Sequence, residues 1–459
     1  TEKGPNFREG LGRSCRLDGD SLIFYTQLPR YGLCATAAVP AAGRYRIRMQ
    51  AAAVGEGVQS ISVGLMRVQQ SGREGPELYD VVDIPAGAPQ VLEFECELGP
   101  RQAFVVNLLT YWDIRRFKRP IEEYTGAGLR VDWLRLEGPI GDWPGNGYRA
   151  LFDELPLKAR SVVKAEQSGG RVPVIREDRP IQQWEADPLV PASEDPRGDS
   201  ERLLRRLMAR VLRRPATAEE QQQVIEMVHA RLDAGASFFE AMQYGLQQIF
   251  TSPGFLLLLD SPPGEVLDGY QLASRLSYFL WCSGPDEELL SAAAAGQLAT
   301  VEGRRSQVER MLKSPKLRRF TTSFTGQWLD LRRIQATLPD PALYPDFDPL
   351  LLWSMQRETE LFFEEVLRTN ASVLEFVQSD WSMLNERLGQ HYGIAGLRGS
   401  IPVRTSIPAD SVRGGVLTQA AVLKVTADGT RTSPDRKSTR PELQSPCNLV
   451  CRLLLVKKK

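Results

Sequence analysis

Tyr45-Arg46-Ile47-Arg48-Met49-Gln50-Ala51 alternates apolar or small side chains with polar ones at every step. A period of two puts Tyr45, Ile47, Met49 and Ala51 on one face of a strand and Arg46, Arg48 and Gln50 on the other, as in a half-buried strand of an antiparallel sheet. Leu92, Phe94, Cys96 and Leu98 repeat the pattern against Glu93, Glu95 and Glu97, and Leu129, Val131 and Trp133 do so again. Pro40-Ala-Ala-Gly43, Pro85-Ala-Gly-Ala-Pro89 and Gly99-Pro100 break the runs. Turn residues between short alternating runs predict a β-sandwich of about seven strands, jelly-roll-like, over residues 1–150.

Further along, the alternation stops. From about 157 to 200, Gly169-Gly170, Pro173, Pro180, Pro188, Pro191 and Pro196 are scattered among charges, so 151–199 reads as an extended linker. After 200 the period becomes 3.6. Leu203, Leu204, Leu207, Val211 and Leu212 form one stripe, and Thr217/Glu220 and Ser237/Glu240 have capping-box spacing ahead of apolar-periodic runs. Helices are expected over 266–281, 285–295, 301–313, 316–330, 349–369 and 382–392, with Gly235 and Gly296 as C-terminal stops. The fold class is multidomain, all-β followed by all-α. The plan comprises a small helical domain (200–262), a main helical domain (263–400), the start of a further domain (401–434) and a divergent tail (435–459). No repeat of 30–50 residues is evident, which argues against a solenoid.

Composition narrows the function classes. The 459 residues carry 57 basic and 57 acidic side chains, a net charge of zero that offers no electrostatic footprint for nucleic acid. Hydrophobic residues at 42% and charged residues at 25% describe an ordinary globular chain, not a disordered or fibrous one. No apolar stretch is long enough to span a bilayer. Six cysteines are too few for a disulfide scaffold. Cys15 and Cys34 are near enough in sequence to pair and equally readable as thiols. Cys447 and Cys451 lack the second pair or histidine of a zinc site. No Cys-x-x-Cys-His occurs, so no cofactor is expected in this chain. The sequence starts at Thr1 without a signal-peptide pattern, which leaves localisation unread.

Chemistry has few places to reside, since there are only two histidines. Glu226-x-x-His229 is half of a di-iron motif, but the second half is missing, since Leu388 stands where His391 would need its glutamate. His229, between Ile225 and Leu232, reads as a packed or edge histidine and no metal is expected. His391 lies with Tyr392 on the Leu384/Leu388 face of a short helix ending at Gly393. Its imidazole either complements the helix dipole or serves as acid, base or ligand. Nucleophile-elbow and phosphate-loop motifs are absent. Glu358, Glu360, Glu364 and Glu365 read as a solvated acidic face.

One polar stretch, Arg413 to Pro434, is not accounted for by helix packing. Gly414-Gly415 permits unusual backbone, and Arg413, Lys424 and Arg431 beside Thr430, Thr432 and Ser433 could hold an anion or polar ligand. Asp428-Gly429 equally reads as a hairpin turn. His391, Arg413 and Thr432 are the candidate catalytic residues. In the sandwich, Tyr111, Trp112, Tyr124, Trp133 and Trp143 are the aromatics available for sugar stacking. Trp133 is assigned to the core by its alternation, whereas Tyr111 and Trp112 adjoin a loop and are the candidate ligand contacts.

A series of ordered matches carries a family likeness: Arg275-Leu-Ser-Tyr-Phe-Leu-Trp281, Pro285-Asp286, Leu289-Leu290, Gln327-Trp328-Leu329, Leu343-Tyr344-Pro345, Phe347-Asp348, Glu358-Thr359, Phe362-Phe363, Asp380, Leu384-Asn385, His391-Tyr-Gly-Ile394, Arg413-Gly-Gly-Val-Leu-Thr-Gln419 and Gly429-Thr-Arg-Thr-Ser-Pro434. Over about 200–434 the chain resembles the large planctomycete-type cytochrome-associated proteins built from PSD and PSCyt domains of unknown function. The resemblance implies an exported, periplasmic or extracytoplasmic multidomain protein. A haem module would lie elsewhere in the full-length protein, and the N-terminal zone would be an inserted carbohydrate-binding-like sandwich. It transfers no catalytic residue. The likeness ends after Pro434, where Asp435 opens an unrelated tail, as in a truncated or frame-shifted end. The expected role is a non-catalytic module binding polysaccharide or a partner protein, and the alternative is an enzyme acting on polysaccharide or its derivatives through a pocket near His391 and Arg413.

Overall fold

The computed structural model describes residues 15–25, 33–34, 39, 43–69, 77–99, 102–109, 121–141, 145–169, 189–258 and 266–427. They form two compact units: Thr1–Gly141 together with Thr321–Lys459, and Asp142–Phe320.

Among the described residues nine strands build the sandwich: β1 (Cys15–Asp18), β2 (Ser21–Phe24), β3 (Leu33–Cys34), β4 (Gly43–Val54), β5 (Ser60–Gln69), β6 (Glu77–Pro85), β7 (Gln90–Leu98), β8 (Gln102–Leu108) and β9 (Gly128–Ile140). One sheet has the order β1-β2-β9-β4-β7 and the other β3-β8-β5-β6, all pairs antiparallel. Successive strands cross repeatedly between the sheets, in jelly-roll fashion. Tyr45, Ile47, Met49 and Ala51 of β4 are at most 2% exposed and meet Ile61, Val63, Leu65 and Ile84 of the opposite sheet in one core. The expected N-terminal sandwich is therefore present, with its β4 alternation as read.

One register departs from the sequence pattern. β4 and β9 pair Ala51 with Val131 and Gln50 with Trp133, so that Asp132 is the extra residue of a β-bulge. Because side chains alternate, a one-residue insertion moves everything beyond it to the opposite face. Leu134 and Leu136 consequently pack against the core, and Trp133 turns outward beside Gln50. The assignment of Trp133 to the core is corrected on this ground.

The second unit begins at Asp142, ahead of the expected linker, and runs through it. α1 (Asn146–Phe152), β10 (Leu157–Ala159) and α2 (Arg160–Ser168) precede β11 (Leu189–Pro191), which pairs with β10. Within the expected linker of 151–199, residues 160–168 are therefore helical and 157–159 pair with 189–191, while 170–188 lie outside the described residues. Helices α3 (Pro196–Val211), α4 (Ala218–Asp233), α5 (Phe238–Thr251) and α6 (Pro253–Leu256) follow, and Leu203, Leu204, Leu207 and Leu212 join Val228 and Met242 in their core. Both expected capping boxes form, Thr217 with Glu220 and Ser237 with Glu240, and Gly235 takes a positive φ just after α4. α7 (Gly269–Trp281), α8 (Glu287–Ala294) and α9 (Val301–Leu312) surround a separate core containing Trp281 and Met311.

α10 (Arg318–Trp328) leads into the rest of the first unit: α11 (Pro349–Thr369), β12 (Trp381–Leu384), α12 (Glu386–Tyr392), β13 (Val403–Ser406) and α13 (Ala420–Val425). The helix expected over 382–392 is a strand followed by a helix, because β12 pairs with β13 and Asn385 caps α12 by accepting from the Leu388 amide. Residues of α13 share one core with α11 and α12. On another face of the same end of α11, Leu350 and Trp353 pack on Met66, Val68, Val81, Val105 and Leu109, the outer face of the four-stranded sheet. Asp83 of β6 accepts from the Ser400 amide at 2.6 Å and from its hydroxyl at 3.0 Å, a second tie between the sandwich and the C-terminal segment.

Replacing Leu350, 4% exposed, by Ala should lower the stability of the full chain by about 2–4 kcal/mol in urea unfolding. A fragment ending at residue 141 should aggregate, since it uncovers the apolar sheet face under α11. A soluble, monomeric 1–141 fragment by light scattering would contradict this packing.

Candidate functional site

The site is built on α11. Asp348 caps its start, accepting from the Leu351 amide at 2.6 Å, and the Arg387 Nε of α12 donates to the other carboxylate oxygen at 2.8 Å. Both side chains are largely buried, Asp348 10% and Arg387 14% exposed. Burial pushes the Asp348 carboxyl above its ordinary range although Arg387 and the helix amides pull it down. The next turns present Leu351, Met355 and Glu358 along one stripe.

Leu351 and Met355 wall a cavity of about 310 Å³. Phe347, Leu423, Pro339 and Pro345 add further apolar wall, and Thr337 and Ala427 complete one side. His391, Arg413, Lys424 and Asp346 supply the charged or titratable lining. His391 and the exposed Leu343 and Tyr344 stand at the rim. The His391 pKa is lowered, first by partial burial and then by the charges of Arg413 and Arg387, so the imidazole is neutral at pH 7 and able to accept a proton. Among the lining residues there is neither serine nor cysteine.

Behind Arg413 lies a buried acid. Glu358 is 1% exposed; Tyr392 donates its hydroxyl to one carboxylate oxygen at 2.6 Å and Ser382 to the other at 2.7 Å. The Arg413 guanidinium lies 3.6 Å from the centre of the Tyr392 ring and donates to the Thr418 carbonyl at 2.7 Å. Burial raises the Glu358 pKa more than these donors and the Arg413 charge lower it, bringing it to about 7. The solvated acidic face is corrected here: Glu358 is interior, and Glu360 and Glu365 are only 15% and 17% exposed. A void of about 10 Å³ between Glu358, Arg413 and Gln419 is too small for an organic ligand. The backbone of this corner needs Gly415, at φ +73°, since a Cβ there would sit 2.5 Å from the Val377 carbonyl oxygen.

Of the sequence candidates, His391 and Arg413 line the same cavity, and Lys424 joins them. Thr432, Thr430, Arg431 and Ser433 lie outside the described residues, as do Tyr111, Trp112 and Trp143, the Cys447/Cys451 pair and the Cys34 side chain. Tyr124 packs edge-on against Tyr25 at 4.9 Å and offers no open platform. His229 is half-buried with Nε2 3.4 Å from the Arg197 carbonyl oxygen, an edge position as read. Glu358 and Tyr392 were not among the candidates. Among the described residues no group of three or more His, Cys, Asp or Glu gathers as for a metal, and no helix is long and apolar enough to cross a membrane.

On the sandwich, the outer face of the five-stranded sheet is polar around one aromatic. The Trp133 indole N–H donates to the Gln50 amide oxygen at 2.5 Å, and Val91, 59% exposed, completes that row. The next rows are Arg135, Arg48 and Glu93, then Glu137, Arg46 and Glu95, with Arg48 donating to Glu93 at 2.8 Å and Arg46 to Glu95 at 3.1 Å.

Residues 267–394 match the PSD4 family, described as a protein of unknown function (DUF1592), and residues 199–260 match the PSD5 family, a protein of unknown function (DUF1595). No curated protein matches the chain. Among solved structures, similarity extends to the C-terminal domain of EclA, a sugar-binding protein, at 15% identity over 30% of this chain and 89% of that one, with a TM-score of 0.18. It extends also to a carbohydrate-binding module (CBM6cm-2) from Cellvibrio mixtus lichenase 5A in complex with cellotriose, at 16% identity over 26% of this chain and 71% of that one, with a TM-score of 0.15.

Glu358 sets a pH dependence with a defined sign. Its folded pKa of about 7 exceeds the ordinary 4.5, so the stability it supports is full below pH 4.5 and lost as the pH rises through 7. Glu358→Gln should remove that component: between pH 4.5 and 8 the wild type should lose about 3 kcal/mol relative to the variant in paired urea titrations. Parallel pH curves for the two proteins would refute the buried, proton-holding glutamate.

Proposed function

We propose that the protein is a non-catalytic binding protein that takes glycan on the outer face of its five-stranded sheet. The observation carrying this reading is the bulge at Asp132, which turns Trp133 out of the core and sets it among Gln50, Arg48, Glu93 and Arg135. A pyranose ring has an apolar C–H face that packs on an indole and a rim of hydroxyls that needs donors and acceptors. A half-buried indole held by one amide, with guanidinium and carboxylate groups in the neighbouring row, supplies both. The setting within an exported, cytochrome-linked assembly is what the family resemblance implies and forms part of the proposal.

A second reading, an enzyme acting on polysaccharide or its derivatives, is favoured by one observation: His391 and Arg413 line the same cavity. The two readings differ in a direct way. Release of new reducing ends from a polysaccharide by the full chain, abolished in His391→Ala, would favour the enzyme. Retention without any release would favour the binder.

In affinity electrophoresis through gels carrying a panel of soluble plant and bacterial polysaccharides, the full chain should be retarded by at least one of them. Trp133→Ala should weaken that retention about tenfold or more, with the melting temperature little changed. Wild type and variant migrating alike in every gel would sink the glycan reading.

A further inference from the structure

The cavity beside α11 has a composition that a sugar does not fit. Its walls are chiefly aliphatic and aromatic, from Leu351, Met355, Phe347 and Leu423, and a polyol buried there would leave hydroxyls without partners. Its charge is unbalanced: Arg413 and Lys424 are opposed in the lining by one carboxylate, Asp346. Lys424 is about nine-tenths buried, and its ammonium donates to two neutral acceptors, the carbonyls of Ile334 at 2.6 Å and Thr337 at 2.8 Å. An ammonium held by two carbonyls and by the Phe347 ring at 5.6 Å, with no carboxylate bonded to it among the described residues, is an incompletely compensated charge, and burial lowers its pKa. Arg413 is held over the Tyr392 ring with one N–H on the Thr418 carbonyl, so its fork is pre-oriented, and among the described residues its guanidinium makes no other hydrogen bond. Glu358 behind it, with a pKa of about 7, neutralises Arg413 only in part near neutrality.

We propose that this cavity is a binding site for a small organic acid, a carboxylate on an apolar body, drawn to Arg413 and Lys424 by its charge and to Leu351, Met355 and Leu423 by its chain. Size sets the body. A cavity of about 150 Å³ accommodates benzene, so about 310 Å³ admits a ring with a short side chain or a straight chain of about eight carbons. In the low-dielectric wall a carboxylate gains more from the two cations than it would at the surface. His391, neutral at pH 7 at the rim, adds a hydrogen-bonding group without a further fixed charge.

The test uses the full chain with trans-cinnamate and octanoate as probes and cinnamyl alcohol and 1-octanol as neutral counterparts, in titration calorimetry and thermal melts. At least one acid should bind about tenfold or more tightly than its alcohol, and should raise the melting temperature. Arg413→Gln and Lys424→Met should each weaken the acid by about tenfold or more and leave the alcohol nearly unchanged. Since Arg413 also supports Tyr392, Leu423→Trp gives an independent probe: it fills the cavity from an apolar wall, leaves every charge in place, and should abolish binding of acid and alcohol alike. Trp133→Ala should bind the acid as the wild type does, so this proposal and the glycan reading fail separately. The proposal is overturned if acid and alcohol bind equally, if neither acid binds up to about 10 mM, or if a folded Leu423→Trp protein keeps its affinity.

Discussion

The buried pair of Asp348 and Arg387 fixes where α11 begins and how α12 lies beside it. From that point successive turns of one helix meet the other elements packed on it. Its first residues, Leu350 and Trp353, face the four-stranded sheet; Leu351 and Met355 face the cavity; Glu358 meets Tyr392; Phe362 and Val366 close on Trp381. Arg387 leads directly into His391 and Tyr392, four and five residues further along α12, so the ion pair that caps one helix also orients the titratable end of the other. A buried ion pair is weak evidence for net stability, because desolvation offsets much of its attraction, and its contribution here is better described as register.

Much of the architecture was legible because it is local. The alternation of Tyr45 to Ala51, the capping boxes at Thr217 and Ser237, and the positive-φ Gly235 each depend on residues within a few positions of one another. The failures share a cause as well. Trp133 was assigned inward because Leu129 and Val131 are inward, and nothing in β9 alone announces that Asp132 has no partner in β4. A bulge is a property of two strands, and one strand read by itself cannot disclose it.

The site was legible in outline and misread at its centre. His391, Arg413 and Lys424 were singled out by residue type, and the fold brings them to one cavity. Glu358 was grouped with Glu360, Glu364 and Glu365 by composition, yet its spacing was informative: Leu351, Met355, Glu358, Phe362 and Val366 recur at intervals of four, three, four and four. A carboxylate on the apolar stripe of a helix is a buried carboxylate, whatever its neighbours in sequence. What sequence could not supply was the partner, since Tyr392 and Ser382 reach Glu358 from elements 34 and 24 residues away.

The cover that α11 lays over the sandwich has a temporal side. Leu109 leaves the ribosome well before Leu350 is made, and Leu350 packs on the sheet face that includes Leu109. At translation speeds of about 5–20 residues per second, that interval is roughly 10–50 seconds. Throughout it the sheet face that carries Leu109 lacks its cover. A pause or early stop between these points would leave a sandwich with one apolar face bare.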